Sequence, residues 1–176
     1  MGNAQSVKKT FERSAKVVST RPRFGQGTEV MSVDMDQYGC CRINEDDTQI
    51  EIDLSTELGG NGTTPSAGYF AKAALGACLA QGYHIHAAVL GITINSLRIE
   101  VESDYDLRGN LGIDDSVPKS YSEIRYKVFI DSPEETEKLV QLIEHSDRLD
   151  WVRDIFATAI PLRRELQVNG TEIPIA

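Results

Sequence analysis

Cys78 is the residue of this sequence whose surroundings best suit covalent chemistry. It lies in the stretch PSAGYFAKAALGACLA, residues 65–80, in which Lys72 is the one charged residue. A thiolate in such an apolar setting is a strong nucleophile, provided that a nearby cation lowers the thiol pKa. The other interpretation is packing, because free cysteine is among the most buried residue types. The stretch alone leaves both interpretations open.

The helix that carries Cys78 does not itself supply the activating cation. Spacings of four and seven place Ala71, Ala74, Gly82 and Ile85 on the same face, and all four are small or apolar. Burial without a cation raises a thiol pKa, so the cation must come from another segment. Small neighbours also leave volume beside the thiol, which either a guest molecule or a close-packed partner helix would fill.

Other chemistry-bearing residues give weaker signals. His84 and His86 are two positions apart, which on a helix turns their rings to different sides, so no metal site is predicted. The glycine-rich segment 59–62 lacks the Lys-Ser/Thr of a phosphate-binding loop, and no cofactor is predicted. Cys40 and Cys41 are interpreted as strand-end residues. Three cysteines, two of them adjacent, do not form a disulfide framework, which favours a reducing cytoplasm.

Hydrophobic periodicity and turn residues predict a single α+β domain over residues 1–176, with a core at about 28–168 and a flexible start at 1–10. The central element is a helix from Pro65 to about Leu90, with Thr64 as its N-cap and Gly91 as its stop. Before this helix, the sequence predicts an extended segment at 11–19 and strands at 28–35, 41–43 and 50–54. After it come strands at 97–105 and 124–130, a helix that begins with a Ser132–Glu135 capping box, and a short third helix. A closing strand at 162–168 is followed by the turn Asn169-Gly170.

Charge and hydropathy limit the kinds of partner that this chain is expected to bind. The chain has 18 basic and 27 acidic residues, a net charge of −9, which gives no basic footprint for nucleic acid or an anionic membrane. The central helix is long enough to span a bilayer but contains polar residues, so we expect it to be buried in the protein. Its apolar faces exceed what one small sheet and one companion helix can cover, which predicts a homodimer.

Several of these elements, in this order, resemble the OsmC/Ohr family. They are Gly59-Gly60 at a strand end, a Pro-initiated apolar helix containing AALGAC at 73–78, the Gly91-Ile92 exit, the strand segment IEVE at 99–102, and SPEETEKLVQLIE at 132–144. The resemblance covers about residues 28–156. It implies antiparallel sheets around a long central helix and a second helix in an intertwined homodimer. It also implies a stress-response peroxidase site at the subunit interface, built from two cysteines, an arginine and a glutamate.

Carried over residue by residue, the resemblance makes Cys78 the peroxide-attacking cysteine and Arg23 the activating cation, with Arg21 as the other arginine of the same loop. The family's glutamate has no counterpart, because no acidic residue lies between Glu57 and Glu100. The second cysteine is missing too, and Asp150 is nearest to its position.

The resemblance therefore leaves two functions. One is a thiol-dependent hydroperoxide reductase that needs a small-molecule thiol as reductant. The other is a non-catalytic dimer that binds a small apolar or acyl ligand in its interface pocket.

Overall fold

The structure, a computed structural model, describes residues 3–45 and 48–173. The predicted α+β class is confirmed, with helices packed on antiparallel sheets. The α-helices in these two ranges are α1 (Ala4–Thr20), α2 (Ala67–Leu90), α3 (Leu107–Asn110), α4 (Thr136–Asp147) and α5 (Trp151–Ala157). The strands are β1 (Ser32–Met35), β2 (Cys41–Glu45), β3 (Thr48–Ile52), β4 (Ser96–Asp104), β5 (Glu123–Asp131), β6 (Leu166–Val168) and β7 (Thr171–Ile173).

The strands form three separate antiparallel sheets. The first has the order β1-β2-β3, as the predicted meander requires, and β4 pairs with β5 along nine residues with Ile99 opposite Val128. The predicted Asn169-Gly170 turn is confirmed between β6 and β7: both residues have positive φ angles, 51° and 79°. The closing strand is shorter than predicted, since β6 begins only at Leu166.

The core lies between α2 and the β4–β5 sheet. Leu75, Leu79 and Tyr83 are buried along one side of α2. They pack against the inward side chains of the two strands, which confirms the predicted alternation. These inward residues are Leu97, Ile99, Val101, Ile124, Tyr126 and Val128. Leu142 of α4 packs on the carboxyl-terminal half of α2, and α5 reaches the same helix through Val152.

The extended segment predicted at residues 11–19 is wrong, because these residues belong to α1. Asn3 caps this helix by accepting a hydrogen bond from the Ser6 backbone N–H at 2.9 Å. Phe11 contacts the ring of His86, and the Lys8 ammonium donates to the Val89 carbonyl oxygen at 3.0 Å. The helix is therefore held against α2, and this tertiary contact overrides the β-propensity of its Val-Val-Ser-Thr end.

Two predicted helix starts are displaced. The N-cap of α2 is Ser66, two residues after the predicted Thr64, and the helix ends as predicted at Gly91, whose φ is 70°. The capping box at Ser132 does not form, since α4 begins at Thr136. Ser132 instead donates to the Thr93 carbonyl oxygen at 2.6 Å, which ties the loop before α4 to the end of α2. None of the helices in the described ranges has the length and apolarity that crossing a bilayer requires.

Candidate functional site

The Cys78 thiol lies where α2 meets the first turn of α5. It is half-buried, and the groups that interact with it are the Asp150 carboxylate, the Val152 backbone N–H and the side chain of Trp151. Asp150 lies across the same stretch of α2, because a Cβ added to Gly82 would be 3.8 Å from the Asp150 Oδ2. Gly82 is one turn beyond Cys78, so the carboxylate lies over the helix face that carries the thiol.

The electrostatics around Cys78 oppose ionisation of its thiol. Burial raises the pKa of Cys78 above its ordinary value, and hydrogen bonding with Asp150 and the charge of that carboxylate raise it further. The Val152 N–H and the Trp151 side chain lower the pKa, but they contribute less. The thiol therefore stays protonated at neutral pH, with a carboxylate beside it that can accept its proton.

Asp150 is fixed in place by its role as the N-cap of α5. Its Oδ1 accepts a hydrogen bond from the Arg153 backbone N–H at 2.7 Å, and the residue is only 7% exposed. An N-cap carboxylate is stabilised by the free N–H groups and the dipole of the helix that it caps. The short helix α5 thus holds an acid against the cysteine, at the position where the resemblance places a second cysteine.

The single chain does not bring Arg23 to Cys78. Arg23 lies in an exposed 3₁₀ turn, Pro22–Gly25, and its guanidinium carbon is 5.3 Å from the ring centroid of Phe24. Arg21 is the exposed residue that ends α1. The groups that set the Cys78 pKa include neither arginine. The roles predicted for Cys78 and Arg23 therefore remain predictions.

A tyrosine lies against the start of α2, where the resemblance places the family's glutamate. Gly68, in the first turn of this helix, has its carbonyl oxygen 3.5 Å from the Tyr121 hydroxyl, which donates to it. A Cβ on Gly68 would lie 2.7 Å from that hydroxyl oxygen, closer than real Cβ atoms come to other atoms. A side chain at position 68 would therefore have to displace the Tyr121 hydroxyl.

The other cysteines lie apart from this site. Cys40 follows the turn after β1, Cys41 opens β2, and all three cysteines of the chain are free thiols. Within the described ranges, no group of three or more His, Cys, Asp or Glu residues is arranged to hold a metal ion.

A polar network behind α5 was not anticipated from the sequence. Asp147 accepts hydrogen bonds from the hydroxyls of Tyr83 and Tyr126, at 2.6 and 2.7 Å. Arg153 donates through Nε to the Tyr126 oxygen at 3.3 Å and through Nη1 to the Asp147 carbonyl oxygen at 3.5 Å. Burial and the Asp147 carboxylate raise the pKa of Tyr83 far above its ordinary value. The one sequence signal was a tyrosine at an inward position of β5, whose hydroxyl needs a partner when buried.

Comparison with solved structures shows the fold. The chain is similar to an OsmC-like protein from Mycoplasma pneumoniae, with a TM-score of 0.65 and 15% identity over 75% of this chain and 89% of that one. It is also similar to an organic hydroperoxide resistance protein OsmC from Legionella pneumophila, with a TM-score of 0.55 and 13% identity over 74% and 89%. A third is a putative organic hydroperoxide resistance protein from Vibrio cholerae with captopril bound in one of its active sites, with a TM-score of 0.53 and 13% identity over 84% and 96%.

Sequence comparison gives the family. No curated protein matches this chain in sequence. The family described as OsmC-like protein matches residues 59–164, more than half of the chain and the part that contains both Cys78 and Asp150. The chain belongs to the OsmC family.

Proposed function

We propose that this protein is a one-cysteine hydroperoxide reductase in which Cys78 attacks the peroxide and Asp150 accepts the thiol proton. The observation that carries the proposal is that Asp150, a buried carboxylate that caps α5, lies over the face of α2 that carries Cys78 and raises the pKa of its thiol. Hydroperoxide resistance proteins among the structural relatives support the substrate class. The Vibrio protein binds captopril in one of its active sites, which supports a site in this chain that admits small ligands.

The first half-reaction needs only the two residues and the peroxide. Asp150 takes the proton of the Cys78 thiol as the sulfur attacks the terminal oxygen of ROOH. The O–O bond breaks, and its electron pair goes to the RO oxygen, which takes the proton back from Asp150 and leaves as the alcohol. Cys78 is oxidised to a sulfenic acid, and the hydroperoxide is reduced to ROH.

The second half-reaction needs two molecules of a small thiol. The first condenses with the Cys78 sulfenic acid, forms a mixed disulfide and releases water. The second attacks this disulfide, releases the Cys78 thiol and leaves as the small-molecule disulfide. No cysteine follows Cys78 in the sequence, so an intramolecular disulfide with a downstream cysteine cannot replace this step. Free thiols at all three cysteines are consistent with work in a reducing cytoplasm.

Turnover is expected to be slow. The thiolate is the reactive form, and both burial and the Asp150 charge raise the pKa of Cys78. An arginine beside the sulfur would reverse this effect, and we propose that Arg23 reaches Cys78 only in an assembled dimer.

A homodimer is part of the same proposal. The chain exposes 13746 Å², whereas a folded monomer of 176 residues exposes about 8,500 Å². Large apolar side chains remain on the surface, including Trp151 at the Cys78 site, which is 69% exposed. The excess, about 5,200 Å² per chain, is larger than the share of one subunit in most obligate homodimer interfaces, so a second copy of the chain is the expected cover for part of it.

Peroxide consumption by the reduced protein tests the proposal. With cumene hydroperoxide and no thiol, we expect the wild type to consume one equivalent per protomer and then stop. Added dihydrolipoamide or a monothiol should restart slow consumption. Cys78→Ser should consume none, while Cys41→Ser, the matched control, should behave as the wild type. Consumption that survives Cys78→Ser would refute the assignment.

The alternative function is non-catalytic binding of a small apolar or acyl ligand. The raised pKa of Cys78 favours it, because a thiol that never ionises does not react with peroxides. The same experiment separates the two functions, since a pure binding protein would leave the hydroperoxide intact at Cys78.

A further inference from the structure

Three hydrogen bonds hold Arg153, and its side chain forms no ion pair within residues 3–45 and 48–173. Its backbone N–H binds Asp150, its Nε binds the Tyr126 hydroxyl, and its Nη1 binds the Asp147 carbonyl oxygen. Tyr126 is fixed in turn by its hydrogen bond to the Asp147 carboxylate. In the part of the chain that the structure describes, Nη2 of Arg153 has no hydrogen-bond partner, and no carboxylate lies within ion-pair distance. A guanidinium oriented in this way keeps donors available for an external anion.

Arg153 lines a cavity of about 520 Å³. The cavity lies between α5, the start of β5 and the first half of α2. Leu75, Ile124 and Phe156 contribute apolar side chains to its lining, and Tyr121 and Tyr126 contribute side chains that carry hydroxyl groups. This combination of an apolar wall with a few convergent polar groups is typical of a small-molecule site.

The charges at the cavity favour an anionic guest. Glu123 also lines the cavity, but its carboxylate is paired with Arg125 at 2.6 Å. Asp147 interacts electrostatically with Arg153, and both of its carboxylate oxygens are already bound by tyrosine hydroxyls. Among the described residues, Arg153 is the one cation that lines this cavity, and a planar carboxylate matches the fork of a guanidinium.

We propose that this cavity is a binding site for a small organic carboxylate with an apolar tail, with Arg153 as its anion anchor. The carboxylate accepts hydrogen bonds from the free N–H groups of Arg153, and the tail packs on Leu75, Ile124 and Phe156. Tyr126 is a positioning residue, because its hydroxyl orients the guanidinium of Arg153, whereas the charge that binds the carboxylate belongs to Arg153. The site is distinct from Cys78 and does not depend on the reductase proposal.

Calorimetric titration of the full-length protein with octanoate tests the site, with octanamide as the uncharged matched probe. We expect octanoate to bind and octanamide to bind at least about tenfold more weakly, since a charge-assisted hydrogen bond is lost. Arg153→Gln should weaken octanoate binding by a similar factor and leave octanamide binding unchanged. Arg148→Gln, at the exposed residue that ends α4, is the control and should bind octanoate as the wild type does.

Two results would overturn the proposal. One is equal affinity of the wild type for octanoate and octanamide, or no binding of either. The other is wild-type octanoate affinity in a folded Arg153→Gln variant. If that variant does not fold, Tyr126→Phe takes its place: it keeps the charge but frees the guanidinium, and octanoate affinity should fall without loss of octanamide affinity. Unchanged octanoate affinity in Tyr126→Phe would refute the positioning by Tyr126.

Discussion

Replacing Asp150 with cysteine should give this protein the disulfide chemistry that its sequence lacks. Asp150 lies against the Cys78 thiol, so a thiol on residue 150 would be within reach of the Cys78 sulfur. We expect oxidation of Asp150→Cys to form a disulfide between residues 78 and 150, after attack of the second thiol on the Cys78 sulfenic acid with loss of water.

The effect on stability can be worked out from the same geometry. The disulfide closes a loop of about 70 residues, which corresponds to roughly 4.4 kcal/mol of lost chain entropy in the unfolded state. Loss of the Asp150 cap on the Arg153 N–H costs about 1 kcal/mol. The oxidised variant should therefore be about 3 kcal/mol more stable than the wild type, and the reduced variant about 1 kcal/mol less stable.

Urea unfolding of the oxidised and reduced variant, at one protein concentration, measures both quantities, and mass spectrometry of peptides identifies the disulfide. Asp150→Ser is the matched control, because serine keeps the helix cap but cannot form the bond. If both thiols of Asp150→Cys stay free after peroxide treatment, Asp150 does not lie beside Cys78 and the proposed site is wrong.

Three further predictions concern the fold and the network. Leu79 is fully buried on α2, so Leu79→Ala should lower the free energy of unfolding by about 2–5 kcal/mol. A urea midpoint close to that of the wild type would contradict the described core. Burial and the neighbouring His145 lower the pKa of His86, so the unfolded state binds more protons than the folded state. The free energy of unfolding should therefore fall as the pH drops below about 6.5. In thermal melts this decrease should be absent from His86→Phe and present in the wild type. Tyr83→Phe leaves one Asp147 oxygen without its partner, so the free energy of unfolding measured with urea should fall by about 1–3 kcal/mol. No measurable change would mean that water already hydrates the network.

The parts of the fold that could be predicted are those with a local signal. The β4–β5 pair was predicted because apolar residues alternate in both strands, and the end of α2 because Gly91 accepts a positive φ. Helix α1 was missed because it depends on contacts with α2 that are distant in the sequence, such as Lys8 with Val89.

The candidate site also has one part that could be predicted from the sequence and one part that could not. The position of Asp150 relative to Cys78 was suggested by the family resemblance, and the structure places the two together. The network around Asp147 combines residues 83, 126, 147 and 153, which come from four different elements, so no spacing in the sequence could reveal it. Arg23 is not among the groups that set the pKa of Cys78 in the single chain, and its approach to the thiol in a homodimer remains part of the proposal.

Mapping of sulfenic acid after peroxide treatment tests the central claim most directly. The reduced protein is treated with cumene hydroperoxide in the presence of dimedone, and the labelled peptides are identified by mass spectrometry. We predict that Cys78 is labelled first and most heavily, and that Cys40 and Cys41 are labelled slowly. Labelling of Cys40 or Cys41 with an unmodified Cys78 would contradict the account and make Cys78 a packing residue.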